Sequence, residues 1–173
     1  MKSIESLRSR LTSNNTLFVQ NEGGYVADAG FDWAKPATDN EIHDFEIEHS
    51  IILPETFKDF LKISNGAMFF KDIQYGQWGC KILGLDELIS ITKEVSRWGY
   101  ELKPEWLVFA TWLGDCDILV FDLEKSTMGS RNYIIDGDSG DRVADWDYLK
   151  GDFAHWIDRL IVSQGAKYWK WYY

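Results

Sequence analysis

Apolar positions along this chain recur first at helical spacing and later at strand spacing. Ile4, Leu7 and Leu11, three and four apart, fall on one stripe and predict a short helix ending near Asn14-Asn15. Gly23-Gly24 and Gly30 then mark an irregular stretch. Thr38-Asp-Asn-Glu41 is a capping box, in which a hydroxyl and a carboxylate satisfy early helix N–H groups, and Ile42, Phe45 and His49 continue along one face. A second helix follows Leu53, with Pro54 in the first helical position, the stripe Phe57, Phe60, Leu61 and Ser64, and Asn65-Gly66 as a left-handed stop. Ile51-Ile52-Leu53 joins the two helices into a hairpin. Short β-type runs at Met68–Phe70 and Lys81–Leu83 precede a helix on Leu85, Leu88, Ile89 and Thr92 that reaches about Trp98.

From Pro104 onward the runs are β-branched or aromatic: Trp106–Trp112, Asp117–Leu123, Asn132–Asp136 and Arg142–Trp146. Gly114-Asp115, Met128-Gly129 and Gly137–Asp141 separate them at the spacing of an antiparallel meander. Phe153, Trp156, Ile157, Leu160 and Ile161 predict a closing amphipathic helix, followed by the aromatic tail Tyr168–Tyr173. The pattern predicts an α+β fold with a mainly antiparallel sheet of about five to six strands and helices packed on one face. No repeat or break in composition divides the chain, so residues 1–173 read as one domain, with a helical extension over 1–36 and a tail over 164–173.

The order of these elements carries a resemblance. Ala37-Thr38-x-x-Glu41-Ile42-x-x-Phe45, Leu53-Pro54-x-x-Phe57-x-x-Phe60-Leu61, Asn65-Gly66, Phe109-Ala110 leading to Gly114-Asp115, and Phe121-Asp122 follow one another as they do in the SMI1/KNR4 family, or SUKH superfamily. The chain resembles that family over roughly residues 37–160. The resemblance implies an α+β fold. It also implies, for bacterial members, the role of an immunity protein that neutralises a cognate toxin, often a nuclease, in a polymorphic-toxin system. Fungal relatives regulate cell-wall synthesis and signalling, so a regulatory scaffold or adaptor is the alternative. The family has no agreed catalytic residues, and none is carried over.

Composition narrows the remaining classes. With 173 residues, 45% hydrophobic and 16% aromatic, the chain has the material for a core without disulfide staples. No apolar run approaches the roughly 18 residues that span a bilayer, and Met1–Asn15 has no signal-like apolar core, so a cytoplasmic location is expected. The formal charge of −10 argues against nucleic acid as a direct ligand. Cys80 and Cys116 form no zinc-type cluster, and Cys116, flanked by Asp115 and Asp117, reads as a buried small hydrophobe rather than a nucleophile.

The negative charge is uneven. Residues 101–152 hold 12 acidic and 5 basic groups, a net −7, whereas the last 21 residues are net positive. Aspartates at turns cap backbone N–H groups, which accounts for many of them singly. Together they form a candidate acidic face that would complement a basic partner, such as a toxin domain that must present Lys and Arg to bind phosphate. The candidate partner-binding residues are Asp115, Asp117, Asp136, Asp138, Asp141 and Asp145, with Trp169 and Trp171 from the tail. The tail either docks on the domain or serves as an exposed aromatic anchor.

Catalytic and metal motifs do not assemble. Asp136-Gly-Asp138-Ser-Gly140-Asp141 begins like a calcium loop, but its fifth position is Gly140 and its sixth is Asp141 instead of glycine. His43, His49 and His155 have no second ligand at metal spacing, and no nucleophile elbow, phosphate loop or dinucleotide fingerprint occurs. The reading is therefore a non-enzymatic binding protein with no cofactor and no metal, whose partner is a basic protein.

Overall fold

A computed structural model describes residues 1–171; Tyr172 and Tyr173 of the aromatic tail lie outside the described residues. Its centre is one eight-stranded sheet in which every strand pairs antiparallel with the next in sequence. The strands are β1 Thr16–Gln20, β2 Val26–Trp33, β3 Ala67–Asp72, β4 Gly79–Ile82, β5 Trp106–Leu113, β6 Ile118–Asp122, β7 Ile134–Gly137 and β8 Asp147–Leu149. The helices are α1 Lys2–Arg10, α2 Asp39–His49, α3 Glu55–Leu61, α4 Leu85–Arg97, α5 Leu123–Thr127 and α6 Phe153–Val162. The α+β class and the antiparallel meander are as expected, with eight strands in place of five or six.

Several boundaries follow from local chemistry. Thr38 and Glu41 close the capping box on α2 in both directions, the Thr38 hydroxyl accepting from Glu41 N–H and the Glu41 carboxylate accepting from Thr38 N–H at 2.7 Å. Pro54 stands one residue earlier than expected, as the N-cap of α3. Asn65-Gly66 does not stop α3, which ends at Leu61. Instead Asn65 Oδ1 accepts the Leu85 N–H at 2.9 Å, helping to start α4. Gly66, at φ +90°, lies so close to Gly84 that a Cβ would come within 2.8 Å of its backbone nitrogen.

The first 36 residues are not simply a helical extension. After α1 the chain forms the β1–β2 hairpin, which joins the sheet through β2 and β3. Phe18 stands 66% exposed in the middle of β1, which blurs the alternation that would have marked a strand. Arg142–Trp146, expected as a strand, is a 3-10 turn over Val143–Asp145, with β8 following it. The Arg142 guanidinium bonds Asp145 at 2.7 Å across this turn, and the Trp146 indole N–H donates to the Asp138 carbonyl at 3.0 Å.

The core explains why β5 and β6 read as continuous apolar runs. Leu107–Ala110 and Ile118–Asp122 are buried without alternation, so both faces of the central strands are covered. On one face Phe109 stacks on Phe121 at 3.8 Å between ring centroids, and Phe57 of α3 and Phe153 and Trp156 of α6 close around them. On the other face lies α4. Lys81 is in register with Thr111, and Thr111 with Ile118, and Lys81 forms an ion pair with Glu87 of α4. The helices thus flank the sheet on both sides, α4 being the addition to the one-sided packing expected. Trp106 and Trp156 are buried, as their place in the core requires, while Trp112 is only partly so. Among the described residues no helix is long and apolar enough to cross a membrane.

Phe109→Ala should lower stability by about 3–5 kcal/mol, because it empties the stack that joins β5, β6 and α6. Thr38→Ala should cost only about 1 kcal/mol, the value of one helix cap. Paired thermal melts check the ranking, with the larger loss in Phe109→Ala the expected outcome.

Candidate functional site

Strand register gathers half of the candidate residues at one end of the sheet. Asp115 sits in the β5–β6 turn, Asp117 immediately precedes β6, Asp136 lies on β7 opposite Leu119, and Asp138 follows the end of β7. The turn itself needs a glycine: Gly114 is at φ +88°, and a Cβ there would fall 1.9 Å from the Gln77 carbonyl oxygen. Asp115 Oδ1 accepts the Asp117 N–H at 3.0 Å, an Asx turn. Asp117 Oδ1 accepts the Ser139 N–H at 2.8 Å, tying the β5–β6 turn to the loop after β7.

The four carboxylates converge on two lysines of the chain's own C-terminal segment. Lys167 Nζ lies 2.9 Å from Asp115 Oδ2 and 2.5 Å from Asp117 Oδ2. Lys170 Nζ bonds Asp138 and stands 3.5 Å from Asp136 and 4.0 Å from Asp117. Between them Trp169 packs edge-on against Trp112 at 5.8 Å, and Lys167 Nζ sits 4.9 Å from the Trp112 ring centroid. Four carboxylates against two ammonium groups leave a local excess of −2.

Burial and pairing pull these groups in different directions. Burial would raise the Asp117 carboxyl, but the Lys167 bond and the Ser139 N–H overcome it and hold it below the ordinary carboxylate range. The Lys170 bond and the Gly140 N–H likewise lower Asp138. Asp136 goes the other way, raised chiefly by burial, with Lys170 only partly offsetting it. Lys170 is raised, its carboxylate neighbours outweighing the burial that opposes its charge.

The remaining candidates line a groove together with Asp136 and Asp138. Asp141 and Asp145 are exposed on the loop before β8, and Asp145 is already engaged by Arg142. They border an open groove of about 1150 Å³ between this loop, α6 and the C-terminal segment. Asp147, Lys150, Arg159 and Tyr168 line the same groove, so its charge is mixed rather than uniformly acidic. Trp171 is 53% exposed at its rim, and Trp169 is half-buried within it. The aromatic tail is therefore docked through Trp169, with Trp171 its exposed member among the described residues. Cys116 is exposed, contrary to the expected burial, because it sits at the tip of the β5–β6 turn; the buried thiol is Cys80.

Sequence reasoning missed Lys167 and Lys170, which complete the cluster. Their signal was a Lys-x-x-Lys pair in a net positive segment following one of net −7. Among the described residues no three His, Cys, Asp or Glu side chains are placed to hold a metal ion.

An antiparallel meander flanked by helices, with charged loops gathered at one end, defines an α+β protein of the SMI1/KNR4 type. The sequence profile of the SMI1 / KNR4 family (SUKH-1) matches residues 36–159, and the chain belongs to that family. It is 24% identical over 176 residues to "Uncharacterized protein YobM" of Bacillus subtilis (strain 168), covering 99% of this chain and 91% of the relative. It is 32% identical over 145 residues to "Uncharacterized protein YnaB" of the same strain, covering 84% and 90%. The profile includes Asp115, Asp117, Asp136 and Asp138 and ends before Lys167 and Lys170.

The lowered Asp117 and Asp138 stabilise the fold above the ordinary carboxylate pKa, and that contribution is lost as pH falls through their folded values. The raised Asp136 acts in the opposite sense, favouring the fold on the acid side. Lys170→Met should therefore cost about 1–2 kcal/mol at pH 7, where it leaves carboxylates unpaired, and much less at pH 3. Thermal melts of both proteins at the two pH values check this, the expected outcome being a difference that shrinks with acid.

Proposed function

We propose that the chain is a non-enzymatic binding protein that neutralises a cognate basic toxin domain, as an immunity protein of a polymorphic-toxin system does. It acts in the cytoplasm by stoichiometric occupation of the toxin's cationic surface. The observation that carries this reading is the convergence of Asp115, Asp117, Asp136 and Asp138 at one end of the sheet, where they hold two lysine side chains and keep an excess of negative charge. A surface that holds ammonium groups in its own chain has the chemistry to hold those of a partner. Exposed Asp141, Asp147 and Trp171 border the adjoining groove and widen the contact.

The adaptor reading rests on Trp171 alone, since the rest of the described tail is docked. Its neighbour Trp169 packs on Trp112, and Lys170 is committed to the aspartates.

The direct test searches the neighbouring reading frames for a toxin with a basic C-terminal domain, expresses that domain with and without the chain, and titrates the purified pair at 50 and 300 mM salt. Restored growth and a 1:1 complex that weakens roughly tenfold or more at the higher salt are expected. The double charge reversal Asp141→Lys with Asp147→Lys should weaken the complex further. Absence of any complex with the neighbour-encoded domain would overturn the reading.

A further inference from the structure

The C-terminal segment is attached to the fold in an unusual way. Its root is fixed: Gln164 Oε1 accepts the Gln20 N–H at 2.9 Å, and Gly165, at φ +90°, lies where a Cβ would be 2.6 Å from the Phe70 ring. Beyond Ala166 the backbone hydrogen bonds are local. Tyr168 N–H donates to the Ala166 carbonyl, Lys170 to Lys167 and Trp171 to Tyr168, and among the described residues segment 167–171 makes no backbone hydrogen bond to any residue before Ala166. It is held by the ion pairs of Lys167 and Lys170, by the packing of Trp169 on Trp112, and by the partly buried Tyr168 and Trp169 rings against the core.

Seating the segment also leaves a polar group unserved. Tyr168 Oη is buried without a hydrogen-bond partner. Burial pushes the Tyr168 phenol up to about 12. The phenol would regain a bond to water on release, so docking opposes itself at this atom while the lysines hold it down.

We infer that residues 167–171 form a detachable strap, an autoinhibitory contact over the acidic surface assigned to the partner. The inference deepens the toxin-neutralising reading and rests on it for the meaning of release. While the strap is seated, its lysines occupy Asp115, Asp117, Asp136 and Asp138. When it leaves, the four carboxylates and the face of Trp112 become available together. A basic partner bearing two cations at the spacing of Lys167 and Lys170, three residues apart, replaces the strap with chemistry of the same kind. Locally bonded backbone, ionic attachment and the orphaned Tyr168 hydroxyl each favour exchange over permanent docking.

Trypsin reads the strap directly, because it cuts after Lys167 and Lys170 only when they leave the aspartates. The full-length protein is digested briefly at 20 and 500 mM NaCl, with loss of the C-terminal residues followed by mass, and a free peptide of residues 164–173 corrects for salt effects on the protease. Corrected cleavage should rise roughly tenfold at high salt, and by a similar factor in Asp117→Asn with Asp138→Asn at low salt, which keeps both cleavage sites. Salt acting on the unaltered protein covers the case in which the variant folds poorly. Cleavage unchanged by salt overturns the strap, as does cleavage that rises only together with cuts elsewhere in the domain. Neither result involves a toxin, so failure of the strap is distinct from failure of the toxin reading.

Discussion

Four carboxylates brought to one end of an antiparallel sheet need counter-charge, and that need shapes everything around them. Asp117 and Asp136 are too enclosed for water to screen them fully, with side chains only 12% and 13% exposed. Leaving such groups unpaired costs more than pairing them gains. The chain meets the demand with Lys167 and Lys170, which lie 50 and 34 residues beyond these two aspartates in sequence yet next to them in space. Charge balance at the sheet end, rather than apolar burial alone, determines where the C-terminal segment lies.

The rest of the fold makes that arrangement possible by holding the loops still. Continuous burial of β5 and β6 fixes both strands between α3 and α6 on one side and α4 on the other. Register then places the β5–β6 turn beside the end of β7, and the Asp117–Ser139 hydrogen bond joins the two. A flexible meander could spread its carboxylates apart to relieve repulsion. This one cannot, so repulsion among them becomes affinity for cations.

How much of this was legible depended on the range of the signal. Local chemistry read correctly: the Thr38–Glu41 capping box and the α6 stripe appear where spacing puts them. Signals that need a partner elsewhere misled. Asn65-Gly66 looks like a helix stop, but its Asn side chain bonds Leu85, twenty residues on, and Gly66 meets the backbone of Gly84. Phe18 points away from the core, so β1 lost its period. The acidic bias was plain in composition, but the lysines that answer it were not, because a tail's docking site is a property of the folded surface. Asp141 and Asp145 share a groove with Asp136 and Asp138, but the β7–β8 loop holds them away from Lys167 and Lys170, and Asp145 pairs with Arg142.

The strength of the tail's attachment follows from comparing unlike terms. Exposed ion pairs are worth a few tenths to one kcal/mol each, and partial enclosure raises that for Lys167 and Lys170. Against them stand the orphaned Tyr168 hydroxyl at about 1–3 kcal/mol, and the entropy of ordering a terminus. Packing of Trp169 on Trp112 supplies about 1 kcal/mol beyond its area. The partly buried Tyr168 and Trp169 rings add apolar burial to the favourable side, and the ionic share of the attachment moves with ionic strength. Such a cover keeps the carboxylates compensated, and because ion pairs hold it, any other cation that reaches the same carboxylates competes with it on equal chemical terms.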